Sequence, residues 1–158
     1  MEHTYAECEP VAALLRMVIN RWNAATGEEL DPLDLKVVLL GDRGEKARAI
    51  SEEPWRIVHA ATMWVVHTTA KARREKGRHR PARTETAVML NKVRREVQSL
   101  LANRYATRGR DGGAEFKQVW IDTGLAIVSG GGVSARVLEG GRTDPGHRGQ
   151  PTRETDSR

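Results

Sequence analysis

Residues 51–90, SEEPWRIVHAATMWVVHTTAKARREKGRHRPARTETAVML, carry the pattern that decides the fold. Apolar residues recur there at the three- and four-residue spacing of one broad helix face, which indicates the most buried helix of the chain. This face comprises Trp55, Ile57, Val58, Ala61, Thr62, Trp64 and Val65. Ser51 is expected to cap the helix, with Glu52 and Glu53 complementing its dipole in the first turn. Gly77 is expected to end it.

A second long helix is predicted over roughly 82–106, with Thr84 as its cap. Its apolar residues repeat at spacings of three, four and three, like the seam of a coiled coil. The seam consists of Leu90, Val93, Val97 and Leu100, with Leu101 and Tyr105 alongside. Because only a short turn from Gly77 to Pro81 separates the two helices, we expect an antiparallel helical hairpin.

Two further helices are predicted before this hairpin. Residues 10–24, PVAALLRMVINRWNA, place their apolar side chains on one helix face, and Gly27 is expected to end that helix. In residues 31–40, DPLDLKVVLL, Asp31 is the expected cap of a short helix, with Asp34 in its first turn. A buried strand is the alternative for this segment.

After the loop ATRGRDGGAEF, the pattern changes to short, β-branched or alternating segments separated by glycines. The segments FKQVWID, LAIVS and VSARVLE predict two or three short antiparallel strands. From Gly140 onward no bulky apolar residue occurs, which predicts a flexible tail. The predicted fold class is mainly α: an antiparallel helical hairpin or bundle with a small C-terminal antiparallel β-meander and a flexible tail. The predicted limits are a single helical domain over 1–139, α-rich over 10–108 and with the β-meander over 115–139, and a tail over 140–158.

Charge is unevenly distributed along the chain, whose net charge is +5. Residues 1–54 carry −5, residues 55–110 carry +11, and residues 111–158 carry −1. Such segregation favours a polyanionic partner, or self-association of the basic middle with the acidic start. No apolar run reaches the roughly 18 residues that a membrane helix needs, so the sequence predicts no membrane partner and a cytoplasmic protein.

Residues that could support catalysis or metal binding are few and scattered. His59 and His67 lie on the predicted long helix about 12 Å apart along its axis, which is too far for one metal ion to bridge. Cys8 is the only cysteine, so a cysteine-based zinc cluster is excluded. The segment SGGGVS, residues 129–134, lacks the lysine of a phosphate-binding loop. We therefore expect no enzyme, no catalytic residue, no cofactor and no metal site.

Residues 39–50, LLGDRGEKARAI, resemble the GxxG loop of KH domains, which clamps a nucleic-acid backbone between two helices. The matching positions are the glycines Gly41 and Gly44 and the apolar residues Ala47 and Ile50. This resemblance implies phosphate contacts by the loop. Asp42 and the long helix that follows depart from the family pattern. The alternatives are a plain connection between helices and the opening of a helix-turn-helix DNA reader.

The basic cluster around the predicted hairpin turn is the strongest functional signal. Lysines and arginines are common at helix ends, but their number here exceeds what the helix dipole explains. Arginine grips phosphate bidentately, whereas the cluster contains no aromatic residue on which a base could stack. The sequence therefore predicts phosphate contacts with DNA or structured RNA. The residues predicted to make them are Lys71, Arg73, Arg74, Lys76, Arg78, Arg80, Arg83, Arg94 and Arg95, with Arg104, Arg108 and Arg110 extending the cluster.

Two functions fit these features. The first is a non-enzymatic, nucleic-acid-associated accessory protein of a phage or plasmid. The alternative is an oligomeric structural protein of a phage particle, by architectural likeness to head–tail connectors. In that alternative the acidic residues of 1–54 would meet the basic middle of a neighbouring copy, the C-terminal tail would lie on a protein partner, and the protein would reside in the virion.

Overall fold

The computed structural model describes residues 9–76, 82–109 and 113–140. The chain is mainly helical, with a small two-stranded antiparallel sheet near its C-terminus, as the sequence predicts. The main elements are α1 (Glu9–Thr26), α2 (Leu35–Leu40), α3 (Glu52–Lys76), α4 (Ala82–Arg104), α5 (Ala114–Phe116), β1 (Ala126–Ser129) and β2 (Gly132–Ala135). A 3₁₀ turn (Ala49–Ser51) precedes α3, and π-helical turns extend α4 (Tyr105–Gly109) and α5 (Lys117–Ile121).

The two long helices form the predicted antiparallel hairpin. Arg104, at the end of α4, pairs with Glu53, at the start of α3, so the two helices run in opposite directions. They pack along each other, and α1 packs against α4 and also contacts α3. The interior contains most of the predicted faces of both long helices, including the fully buried Val58, Val93 and Leu101.

Helix α1 matches its predicted extent and buried face. That face consists of Pro10, Val11, Leu14, Leu15, Val18, Ile19 and Trp22. Gly27 ends the helix with a φ of +74°, a conformation that glycine adopts without steric cost. The indole of Trp22 lies 5.2 Å from that of Trp55, centroid to centroid, which joins α1 to the start of α3.

The segment 35–40 is a helix and not the alternative strand, but its cap is one turn later than predicted. Asp34, not Asp31, is the N-cap, and its Oδ1 accepts a hydrogen bond from the amide of Lys36 at 2.9 Å. Asp31 instead accepts from the amide of Leu33 at 2.8 Å. The Asp31 side chain therefore closes a turn of its own before the helix begins.

The two caps predicted for the long helices are also wrong. Ser51 belongs to the 3₁₀ turn before α3, and its hydroxyl donates to Oε1 of Glu28 at 2.6 Å instead of capping the helix. Thr84 lies inside the first turn of α4, which begins at Ala82. The predicted stop at Gly77 and the turn to Pro81 lie outside the described residues.

The C-terminal part contains two antiparallel strands, the smaller of the two predicted numbers, and they lie within 126–135. The first predicted strand, FKQVWID, is helical, because Phe116 and Trp120 are one helical turn apart and bury on the same side. Strands β1 and β2 pair from Ala126 with Ala135 to Ser129 with Gly132. Gly130 and Gly131 both have positive φ, as the tight turns that suit hairpins require.

The described chain ends against α1. The guanidinium of Arg21 donates from Nη1 to the carbonyl oxygen of Leu138 at 2.9 Å. A Cβ atom placed on Gly140 would lie only 2.4 Å from that guanidinium, so a side chain at this position requires Arg21 to move. Nearly all of the predicted flexible tail, residues 141–158, lies outside the described residues. Among the helices of the described ranges, none combines the length and the apolar character needed to cross a membrane.

Candidate nucleic-acid interface

The predicted phosphate-binding residues divide into two groups. The structure describes four of these side chains and shows all four exposed: Lys71 on α3 and Arg83, Arg94 and Arg95 on α4. The other five positions are Arg73, Arg74 and Lys76, whose backbone belongs to α3 but whose side chains lie outside the description, and Arg78 and Arg80, which lie outside the described residues. The described members thus lie along the two helices, with Arg83 in the first turn of α4 and Arg94 and Arg95 near its middle.

Ion pairs and hydrogen bonds distinguish three arginines of α4, Arg83, Arg94 and Arg95, from most other arginines that the structure describes. Carboxylates hold Arg43, Arg56, Arg104 and Arg136, and backbone carbonyl oxygens hold Arg16 and Arg21. Within the described parts of the chain, Arg83, Arg94 and Arg95 form no hydrogen bond or ion pair. Arg104, expected to extend the basic cluster, is instead occupied by Glu53.

A groove of about 570 Å³ runs between α4 and the segment that follows β2. Arg94 and Arg95 lie on its helix side, and Glu139 lies on the other side. The carboxylate of Glu139 is held by Arg136 at 2.7 Å. Because Glu139 already has this partner, the two arginines of α4 face solvent with their charge available.

Gln98 fixes the position of this groove. Its Nε2 donates to the carbonyl oxygen of Val133 at 2.8 Å, and its Oε1 accepts from the amide of Ala135 at 2.7 Å. The side-chain amide thus bonds the outer edge of β2 in the way a neighbouring strand would. As a result, the β-hairpin formed by β1 and β2 is held at a defined place on α4, one helical turn beyond Arg94.

Sequence reasoning misplaced Trp64, which it assigned to the buried face of α3. The side chain is 59% exposed, and within the described chain it makes no ring contact or hydrogen bond. It belongs to an exposed row at spacings of four, four, three and four: Arg56, Ala60, Trp64, His67 and Lys71. That spacing of small and polar residues around Trp64 is the signal that could have identified it as a surface residue.

Trp64 lies at the same level along the helical hairpin as two exposed basic residues of α4. Each helix advances about 1.5 Å per residue, so counting from the Arg104–Glu53 pair places Trp64 level with Val93. The exposed Lys92 and Arg95 lie within one turn of that level. The exposed residues of the two helices are those that packing against each other and against α1 leaves uncovered.

The GxxG-like loop is occupied by contacts within the protein. The amide of Gly44 donates to Oδ1 of Asp42 at 2.9 Å. Arg43, the basic residue between the glycines, is only 7% exposed and donates from Nη1 to Glu28 and to Ser51, at 2.7 Å each. The next long element is a helix, where a KH domain has a strand. The loop therefore connects α2 to α3 and keeps its basic side chain inside.

Glu28 is the acceptor at the centre of this connection. Its Oε2 accepts from the indole nitrogen of Trp22 at 2.6 Å, and its Oε1 accepts from Ser51 and Arg43. Burial raises the pKa of this carboxyl, but the hydrogen bonds from Ser51 and Trp22 and the charge of Arg43 together outweigh it, so the pKa lies below its ordinary value. The carboxylate thus joins α1, the loop and the start of α3.

The two histidines of α3 have different surroundings. His59 donates from Nε2 to the carbonyl oxygen of Val38 at 3.0 Å, which binds α3 to α2. His67 is exposed on the same row as Trp64. Over the ranges that the structure describes, no group of three histidine, cysteine, aspartate or glutamate residues is placed to hold a metal ion.

No protein-family model matches the chain, and neither a search of curated proteins nor a search of solved structures finds a match.

Proposed function

We propose that this protein is a non-enzymatic, nucleic-acid-associated accessory protein that binds phosphate groups through the outer surface of its α3–α4 hairpin. One observation carries the proposal: Arg83, Arg94 and Arg95 are exposed along α4 and have no acidic partner among the described residues. Guanidinium groups that form no ion pair are free to bind phosphate bidentately.

The dimensions of this surface suit a nucleic-acid backbone. Arg83 and Arg95 are about 18 Å apart along the helix axis, which corresponds to about five base steps of a duplex. The exposed Lys92 adds a further positive charge between them. Each phosphate that these groups neutralise releases counterions, so binding is expected to weaken steeply as salt rises.

The test compares two double variants that remove the same charge. Arg94→Gln with Arg95→Gln removes two cations from the proposed surface, whereas Arg16→Gln with Arg48→Gln removes two exposed cations elsewhere. Binding to a duplex is measured by mobility shift at salt concentrations from about 50 mM upward, and each lost phosphate contact lowers the slope of log K against log salt by about 0.9. We expect the first variant to lower both affinity and slope by more than the second. Equal losses, or no binding at the lowest salt, contradict the proposal.

A second candidate function is the oligomeric structural protein, which is favoured by the surface around α2. Leu33 and Leu40 are each 76% exposed, and Leu35 is also exposed. The exposed acids Asp31, Asp34 and Asp42 surround them in the sequence. An apolar patch with an acidic border complements the basic surface of a neighbouring copy.

Light scattering separates the two candidates. The assembly candidate is favoured if the wild type forms a defined ring or higher oligomer and the double variant Leu33→Ser with Leu40→Ser dissociates it. Nucleic-acid binding is favoured if the wild type is a monomer or dimer that shifts a duplex in the gel and the double variant has the same size.

A further inference from the structure

We infer that Trp64 is a stacking platform for an unpaired base, so that the α3–α4 hairpin binds single-stranded or looped nucleic acid more tightly than a duplex of the same charge. This inference rests on the proposed function, and it replaces the expectation that the basic surface offers no aromatic side chain.

The exposure of Trp64 sets it apart from the other three tryptophans. Trp22, Trp55 and Trp120 are buried in the core, and only Trp64 presents its indole to solvent. The indole forms no hydrogen bond and no ring–ring contact with any described residue. A large aromatic side chain that is 59% exposed is therefore available for stacking.

The surroundings of Trp64 select an anionic, aromatic ligand. Residues 54–74 contain no aspartate or glutamate. His67 and Lys71 continue the exposed row along α3, and Lys92 and Arg95 on α4 lie within one helical turn of the level of Trp64. A base stacked on Trp64 would thus have cations on both helices near its level for the phosphates that flank it, and a combination of an aromatic side chain with cations binds single strands without sequence preference.

Duplex DNA cannot use this arrangement fully. In a duplex the bases are stacked on one another, so the phosphates can reach the arginines but no base is free to stack on the indole. An unpaired nucleotide provides both the phosphate contact and the stacking. Stacking on one aromatic side chain accounts for roughly tenfold or more in affinity, which makes the difference between the two ligands measurable.

The experiment measures the affinity of the full chain for a 20-nucleotide oligothymidine and for a duplex of about the same length. We expect Trp64→Ala to weaken binding of the single strand by about tenfold while changing duplex binding by less than about twofold. Trp64→Phe keeps an aromatic face and should retain most of the affinity. Leu40→Ala, which truncates an exposed apolar side chain on α2, serves as the matched control. Circular dichroism confirms that each variant folds.

Fluorescence provides an independent measurement, since Trp64 is the one tryptophan among the described residues that solvent quenchers reach directly. Oligothymidine should quench the fraction of emission that iodide also quenches, and Trp64→Phe should abolish that fraction.

Three outcomes overturn the inference. If Trp64→Ala weakens binding of the single strand and of the duplex equally, or weakens neither, the indole does not stack on a base. Salt-dependent binding of the duplex, and with it the proposed function, would still stand. If Trp64→Ala dissociates an oligomer in light scattering, the indole belongs to an interface between copies of the chain. If the wild-type protein binds neither ligand, the proposed function fails together with the inference.

Discussion

Arg43 donates from Nη1 to Oε1 of Glu28 at 2.7 Å, and both side chains are only 7% exposed. The two residues come from different connections, one after α1 and one after α2, and Ser51 before α3 bonds the same oxygen. A buried carboxylate is stable only while its charge is paired and its oxygens are hydrogen bonded. This pair therefore makes the loops on one side of the protein depend on each other.

Replacing Glu28 by Gln should destabilise the fold strongly. The amide is nearly isosteric, but it leaves Arg43 buried without a counter-charge, and breaking one partner of such a pair costs about 3 kcal/mol. Glu29→Gln is the matched control, because Glu29 is exposed next to it and its loss should change stability by less than about 0.5 kcal/mol. Urea unfolding followed by circular dichroism measures both. Equal stability of the two variants would show that the ion pair is not significant for the fold.

The same carboxylate should make stability depend on pH. Because the pKa of Glu28 in the folded protein lies below its ordinary value of 4.5, its stabilisation is complete above that value and is lost as the pH falls through the folded pKa. The difference in unfolding free energy between wild type and Glu28→Gln should therefore be constant near neutral pH and shrink below about pH 4.5. Denaturant titrations at a series of acidic pH values measure it. A difference that stays constant down to about pH 3 would contradict the assignment.

Local sequence signals were sufficient for the three long helices and insufficient for their contacts. The spacing of Val93 and Val97 predicted the buried side of α4, because helical periodicity and burial are linked directly. Ser51 was expected to cap α3, since a serine before two glutamates fits that role. The structure assigns its hydroxyl to Glu28, which is 23 residues away, and no local pattern indicates that distance.

Two further errors have the same physical origin. FKQVWID contains residues typical of strands, yet Phe116 and Trp120 are spaced for one helix face, and the core that they enter decided between the two readings. Trp64 lies at the edge of a broad apolar face, and whether such an edge is buried depends on the neighbouring helix. The basic residues of the candidate site were identified from composition, whereas Trp64 was missed because its apolar character outweighed the polar spacing around it.

Gly41 should tolerate substitution less well than Gly44. Both have positive φ, so an alanine at either position pays about 1 kcal/mol for the left-handed conformation. Only at Gly41 would the added Cβ lie 3.0 Å from Nδ1 of His59, while at Gly44 it would meet no atom within 4 Å. We expect Gly41→Ala to lose about 2 to 3 kcal/mol and Gly44→Ala about 1 kcal/mol, measured by thermal and urea unfolding. If the two variants are equally stable, His59 moves aside without cost and its bond to Val38 is not a constraint.

Gln98→Ala should release the β-hairpin from α4. The change removes the partner of the Val133 carbonyl and of the Ala135 amide, and each lost bond to a buried backbone group costs about 1 kcal/mol or more. Asn91→Ala is the control, because Asn91 is exposed on the same helix. Hydrogen exchange provides the direct measurement: the amide of Ala135 should lose protection in Gln98→Ala and keep it in Asn91→Ala, while the amides in the middle of α4 stay protected in both. A uniform loss of protection would mean that the β-hairpin and the helices unfold as one unit. Unchanged protection would mean that the pairing of β1 with β2 holds the β-hairpin without Gln98.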